Sequence, residues 1–218
     1  MRALSTTVLL SLGLATCLVG GTALDGGAVI AQDTGTVYRF GTSKKHTNVT
    51  FVSEADVENI YGSTNVVSGQ TFLNLDEGKG KCNIRIPIEH MKTGIETRDE
   101  HMRSDQWLDA AKYPQIQFRS SEIQLKPGKR AGRFEGTAKG TMSIHGVEKE
   151  ITVPVKVRKV SDKLAKLIGD GEWVRVTTEF DVKLSDYGIE IPDGPVATKV
   201  SPVWQIKFDS YATSAKAR

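Results

Sequence analysis

The sequence predicts an all-β domain of eight or nine antiparallel strands, closed as a barrel or paired as a sandwich and interrupted once by a short helix. Apolar and polar residues alternate with period two over most of the chain after residue 36, which sends successive side chains to opposite faces of a strand. Turn chemistry separates the alternating runs, as at His145-Gly146 and Asp170-Gly171. Only the stretch 97–109 departs from the alternation, with a helix-start signature.

The first thirty of the 218 residues stand apart. Arg2 supplies a short positive region and Val8 to Val19 is apolar. Val29-Ile30-Ala31 then places small or branched residues where signal peptidase reads, just before Gln32. An apolar core this short followed by such a site reads as a secretory signal, 1–31, cleaved after Ala31. The alternatives are a retained anchor and a lipoprotein processed at Cys17, before which Thr16 is a poor residue. Cleavage leaves one domain, 32–218, with no later stretch near the ~18 apolar residues of a membrane span, so the mature chain reads as soluble. Its destination on this reading is the periplasm or the exterior. The formal net charge of +3 comes from interspersed acids and bases. A nucleic-acid partner, which needs a clustered basic face, is not expected. Cys82 is left as the single mature cysteine, so the core rather than a disulfide holds the fold.

The strand candidates are 37–40, 49–55, 58–64, 69–75, 80–88, 115–125, 133–144, 147–158, 173–183 and 203–209, some of which fuse or fail. In 81–88, Cys82, Ile84, Ile86 and Ile88 share a face against Lys81, Asn83 and Arg85. Val147, Ile151, Val153, Val155 and Val157 do so in the eighth run, Val174, Val176, Phe180 and Val182 in the ninth, and Trp204, Ile206 and Phe208 in the last. One apolar and one charged face belong to antiparallel sheets wetted on one side. Lys126-Pro127-Gly128-Lys129 fits a type II turn and Asp76-Glu77-Gly78 another reversal. Thr97-Arg98-Asp99-Glu100 has the spacing of a capping box, and Ser104 to Leu108 suggests a second short turn before Pro114.

The run 133–144 is the most informative. Phe134, Gly136, Ala138, Gly140, Met142 and Ile144 take its inner face, three of them with almost no side chain. Either they open a ligand cavity inside the barrel, or the glycines mark a bulge or bend that closes it.

Catalytic and cofactor motifs are not found: there is no nucleophile elbow, phosphate loop or dinucleotide fingerprint. His46, His90, His101 and His145 are far apart, so no metal site is expected; His101, beside Asp99 and Glu100, is the best of them. No catalytic residue and no cofactor is assigned.

Several segments together resemble the YceI-like family. They are Thr97-Arg98-Asp99-Glu100-His101-Met102-Arg103-Ser104, Trp107-Leu108-Asp109-Ala110, Lys112 through Ser120, Phe134-Glu135-Gly136-Thr137-Ala138, Gly140 through Lys149, and Ser185-Asp186-Tyr187-Gly188-Ile189. The resemblance spans about 37–209 in order. It implies a single antiparallel lipocalin-like β-barrel of about eight strands, exported, holding a polyisoprenoid such as a quinone tail or prenyl phosphate. Phe51 through Glu58 departs from the family pattern, lacking its histidine and adding two acids.

The resulting expectation is a non-enzymatic binding protein for an isoprenoid or other lipid. Its wall candidates are Phe51, Phe72, Ile84, Ile86, Ile116, Phe118, Phe134, Gly136, Ala138, Gly140, Met142 and Ile144, with Leu73 and Leu75 competing against Phe72 for the inner face. Arg98, His101 and Arg103 either meet a polar head group or brace the helix. The competing readings are an exported structural or stress-related barrel with a filled core and an enzyme on a small apolar substrate with His101 as base. A homodimer is compatible with the sequence.

Overall fold

The computed structural model describes residues 34–42 and 46–215; the segment 1–31, expected to be a secretory signal, lies outside them. Ten strands and two helices follow in the order β1 Thr36–Phe40, β2 Thr47–Glu54, β3 Asn59–Thr64, β4 Ser68–Asn74, β5 Lys79–Pro87, α1 Glu96–Arg103, β6 Gln115–Pro127, β7 Arg133–Ile144, β8 Val147–Lys159, α2 Asp162–Ile168, β9 Trp173–Lys183 and β10 Val203–Thr213. Every candidate strand is present.

All the strand pairings are antiparallel, and β1 meets β10 to close the sheet. β1 and β2 run end to end along β10, Arg39 opposite Thr213 and Thr47 opposite Ser210. β3 and β4 run end to end beside them. The ten segments therefore make the eight staves of one closed barrel. β8 and β9 are laddered together only where Lys156 to Lys159 meet Val174 to Thr177, so the part of β8 before Lys156 and the part of β9 after Thr177 have no ladder bonds to each other. Where β5 ends, the chain at Lys92 takes over the pairing with Ser63 of β3, through N–H to carbonyl bonds of 2.8 and 2.9 Å.

The inner face follows the alternation. Val153, Val155 and Val157 of β8 are buried, and so are Val174, Val176 and Val182 of β9 and Trp204 and Phe208 of β10. Val147 keeps the inner parity but lies exposed at the hairpin end. β6 changes parity midway. Both of its neighbours shift register between Ser120 and Ile123, placing one extra residue there as a β-bulge. Before it Ile116, Phe118 and Ser120 point inward; after it Ile123 and Leu125 do. The Ser120 hydroxyl holds the bulge, donating to the Lys139 carbonyl at 2.6 Å.

Turns and helices hold the departures. His145 and Gly146 both adopt positive φ, 52° and 75°, as a two-residue primed hairpin demands. The expected type II turn at Pro127-Gly128 does not form, because β6 runs on through Pro127 and the positive φ of 72° falls at Gly132. Helix α1 starts at Glu96, and the capping box does not form: Thr97 is already inside the helix. Buried Asp99 instead takes hydrogen bonds from the Thr93 N–H at 2.6 Å and the Thr93 hydroxyl at 2.7 Å, tying down the loop that enters the helix. α2 was not expected; its Leu164 and Leu167 are 52% and 81% exposed, so no apolar stripe announces it.

Candidate functional site

The inward faces of the staves enclose an apolar cavity of about 140 Å³. Along β10 its wall is Trp204, Ile206 and Phe208. Phe208 meets Phe40 edge to face with ring centres 5.7 Å apart, and Trp204 stacks on Phe51 at 5.2 Å with planes 9° apart. Cys82, Ile84 and Ile86 of β5 continue the wall, with Ile116 and Phe118 of β6 and Val176, Thr178 and Phe180 of β9. Met91, Leu108, Tyr187 and Ile189, from the connecting segments, line it as well.

Among the described residues, no Lys, Arg, His, Asp or Glu lines this cavity. Its ionisable groups are Cys82 and Tyr187, both held neutral. Burial pushes the Cys82 thiol up to about 11, and burial followed by the charge of Asp186 raises Tyr187. The Thr71 hydroxyl donates to the Lys81 carbonyl, and the Thr64 oxygen accepts from the Val66 N–H. The Thr178 hydroxyl and the Trp204 indole N–H are buried and have no protein partner. An unpaired buried group of this kind costs about 1–3 kcal/mol.

Of the residues expected at the wall, Phe51, Ile84, Ile86, Ile116, Phe118, Ala138, Met142 and Ile144 line the cavity. Phe134 keeps the inner face and packs against the core, beyond the cavity lining. Phe72 lies on the outer face, its ring centre 5.2 Å from Lys81 Nζ, because Thr71 and Leu73 take the inward positions of β4. Gly136 and Gly140 give on to neighbouring backbone rather than open space. A Cβ at Gly136 would stand 1.8 Å from the Gln124 oxygen, and one at Gly140 2.2 Å from the Arg119 oxygen, beside the β6 bulge. Of the two readings of these glycines, close approach at a bend is the one the geometry meets.

The charged candidates sit away from the wall. Arg98 pairs with Glu58 at 3.0 Å, linking α1 to the β2–β3 connection. Arg103 reaches the Glu89 carbonyl at 3.5 Å, and His101 is exposed. His145 Nδ1 lies 3.2 Å from the Tyr187 carbonyl, joining the β7–β8 hairpin to the turn at Leu184–Tyr187. Trp204, Ile206 and Phe208 of β10, and Val176 and Phe180 of β9, were each legible as sharing one face of their strand, though not as cavity wall. Thr178 carried no apolar signal, and Met91, Leu108 and Ile189 reach the cavity from loops whose course no periodicity reports.

A closed barrel of eight staves around an apolar interior, with no charge on its wall, is the architecture of a barrel-type binding protein. The sequence profile of the YceI-like domain matches residues 40–212, and the chain belongs to that family. The UPF0312 protein of Pectobacterium carotovorum subsp. carotovorum is 30% identical over 171 residues, covering 75% of this chain and 81% of that protein. Protein YceI of Escherichia coli O157:H7 is 28% identical over 189 residues, covering 83% and 88%. Among solved structures, Burkholderia cenocepacia BcnA superposes with a TM-score of 0.61 at 21% identity, covering 77% of this chain and 96% of that one. A polyisoprenoid binding domain from Saccharophagus degradans, implicated in plant cell wall breakdown, also gives 0.61, at 17% identity, covering 83% and 99%. At these identities the structural likeness speaks to the fold.

Proposed function

We propose that this protein is an exported, non-enzymatic carrier or sequestering protein that holds the apolar chain of an amphiphilic lipid, a polyisoprenoid, inside its barrel. The observation that carries the reading is the chargeless apolar wall running from Phe40 and Phe208 past Phe118 to Trp204. A hydrocarbon chain gains about 0.8 kcal/mol for each CH₂ it buries, so a long unbranched or isoprenoid tail suits such a lining better than a compact polar substrate does. The two ionisable groups of the wall, Cys82 and Tyr187, are both shifted away from ionisation, which suits a binding site rather than a nucleophile or base. The Saccharophagus degradans domain that shares this fold is a polyisoprenoid binding domain, which points the same way.

Export rests on the segment 1–31, with a mature N-terminus at Gln32. N-terminal sequencing of the protein recovered from its native host tests it: a chain beginning at Met1, or an acylated Cys17, defeats this part of the reading. Mass spectrometry of an organic extract of the purified protein tests the ligand. A stoichiometric isoprenoid lipid is expected; an extract free of lipid from a protein that also takes up none when offered it favours the filled, ligand-free barrel.

A further inference from the structure

Acids and bases are interspersed along the chain as a whole, yet two of its segments are almost purely basic. The fold sets them side by side at one end of the barrel. The turn between β6 and β7 with its flanks, 126–133, carries Lys126, Lys129, Arg130 and Arg133 and no acid. The end of β8 with α2, 156–168, carries Lys156, Arg158, Lys159, Lys163 and Lys166 and one acid, Asp162. Arg133 stands opposite Arg158 in the β7–β8 ladder, and the Lys159 N–H donates to the Gly132 carbonyl at 2.8 Å. Lys129, Arg130, Arg133, Lys159, Lys163 and Lys166 are all exposed. Among the described residues none of these six is in an ion pair. Other acids of this end lie in the β4–β5 turn, where Glu77 pairs with Lys79, and beyond α2, where Glu172 accepts from Tyr38.

Helix α2 adds an apolar feature to this face. Ala165 turns inward at 7% exposure, while Leu164 and Leu167, three residues apart and so on one side of the helix, are 52% and 81% exposed. Leu167 is the most exposed large apolar side chain among the described residues. The helix is fixed at both ends. The Val160 N–H donates to the Trp173 carbonyl at 2.8 Å, and the Trp173 indole N–H donates to the Gly169 carbonyl at 3.1 Å. Its leucines are therefore held outward, beside the cations.

We propose that this end of the barrel docks on an anionic lipid bilayer. Leu164 and Leu167 enter the boundary between head groups and acyl chains while the surrounding cations meet lipid phosphates. Basic segments gain from the negative surface potential of such a membrane, and outward leucines gain where an apolar phase receives them. The leucines favour a bilayer over a nucleic acid, which rewards cations and stacking aromatic rings but offers an aliphatic side chain little. Two leucines and a cluster of cations make a reversible attachment that weakens with salt. This inference is independent of the carrier reading, because the docking face lies outside the barrel and is the same whether the interior is loaded or empty.

Co-sedimentation of the purified protein with vesicles tests it. Vesicles of equal parts phosphatidylglycerol and phosphatidylcholine should carry the protein down at low salt and release it as salt rises. Vesicles of phosphatidylcholine alone should leave it in solution. Replacing Arg130, Lys163 and Lys166 together by glutamine should lower the partition coefficient about a hundredfold, roughly fivefold per cation. Leu164→Ser with Leu167→Ser should lower it about tenfold or more, the scale of burying the exposed parts of two leucines. A reporter in the otherwise unchanged chain gives a second readout: Leu167→Trp should emit further to the blue with the anionic vesicles and not with the neutral ones. No sedimentation with either kind of vesicle, equal sedimentation with both, undiminished binding by the serine variant, or an unshifted emission overturns the inference. Duplex DNA bound more tightly than the anionic vesicles also overturns it, and makes the face a polyanion site.

Discussion

Replacing Gly140 by alanine should destabilise the barrel although it adds a single carbon. The backbone there is outside the left-handed region, so alanine meets no conformational bar and would gain about 0.4–1 kcal/mol by restricting the unfolded chain. The opposing cost is steric. The new Cβ would stand 2.2 Å from the Arg119 oxygen and 2.7 Å from Ser120 Cα. Favourable carbon contacts lie at about 3.5–4.0 Å, so β6 must retreat by roughly 1 Å. Both obstacles are backbone at the bulge, where the Ser120 hydroxyl is bonded to the Lys139 carbonyl. A side chain could swing away, but this backbone has no such freedom. Overpacking of this kind costs about 1–3 kcal/mol and sometimes more. With the small entropic gain subtracted, a net loss of about 1.3 kcal/mol lowers Tm by roughly 3–5 °C in a domain of this size. Thermal melting by circular dichroism reads it, and Gly140→Leu should melt lower still. Ala138→Leu is the contrast: Ala138 lines the cavity, so the larger side chain occupies ligand space and reduces lipid uptake more than it lowers the melt. A Gly140→Ala protein that melts within a degree of wild type refutes the close-approach account and returns the glycines to the cavity.

Three further outcomes follow from the geometry. Cys82, whose thiol burial raises to about 11, should stay unmodified by a thiol reagent at pH 8 in the native protein and react at once in denaturant; rapid native labelling would contradict its placement. Burial and then the charge of Glu172, whose Oε2 accepts from the Tyr38 hydroxyl at 3.2 Å, raise Tyr38 to about 12. The fold thus favours protonated Tyr38 while the unfolded chain ionises near its ordinary 10.0, so this contribution is whole below pH 10 and is lost as pH rises from 10 to 12; denaturant titrations across that range should show a steeper alkaline decline for wild type than for Tyr38→Phe. Asp99→Ala should leave the Thr93 N–H and hydroxyl without their acceptor and cost about 1–3 kcal/mol, read as a drop in the denaturation midpoint; an unchanged midpoint would show that the loop entering α1 is held by something else.

The strands were legible because their side chains obey a period of two and because each reversal uses residues suited to positive φ, as His145-Gly146 does. β10 was underestimated at its end. From Asp209 to Thr213 the alternation weakens, and the inward Ser210 is satisfied by the Thr47 hydroxyl at 2.8 Å, a partner 163 residues away in the chain. The capping box at Thr97 was a fair local pattern overruled by a side chain just upstream, since Thr93 reached Asp99 first. α2 offered nothing to detect, its leucines facing outward.

By itself, the sequence determined the class of fold, the inward identity of most of the wall and the charge of neither sign on that face, because alternation is a property of each strand alone. Tertiary structure decided what depends on two strands at once. The bulge in β6 flips the parity of half a strand, and only the register with β5 and β7 reveals it. Phe72 points outward because Thr71 and Leu73 hold the inner places of β4. Gly136 and Gly140 are small because the backbone of β6 passes within contact of them, a distance no single strand can specify. The unpaired Trp204 and Thr178 became visible only once the whole wall was assembled and every neighbouring acceptor could be counted, since an orphaned donor is defined by what surrounds it.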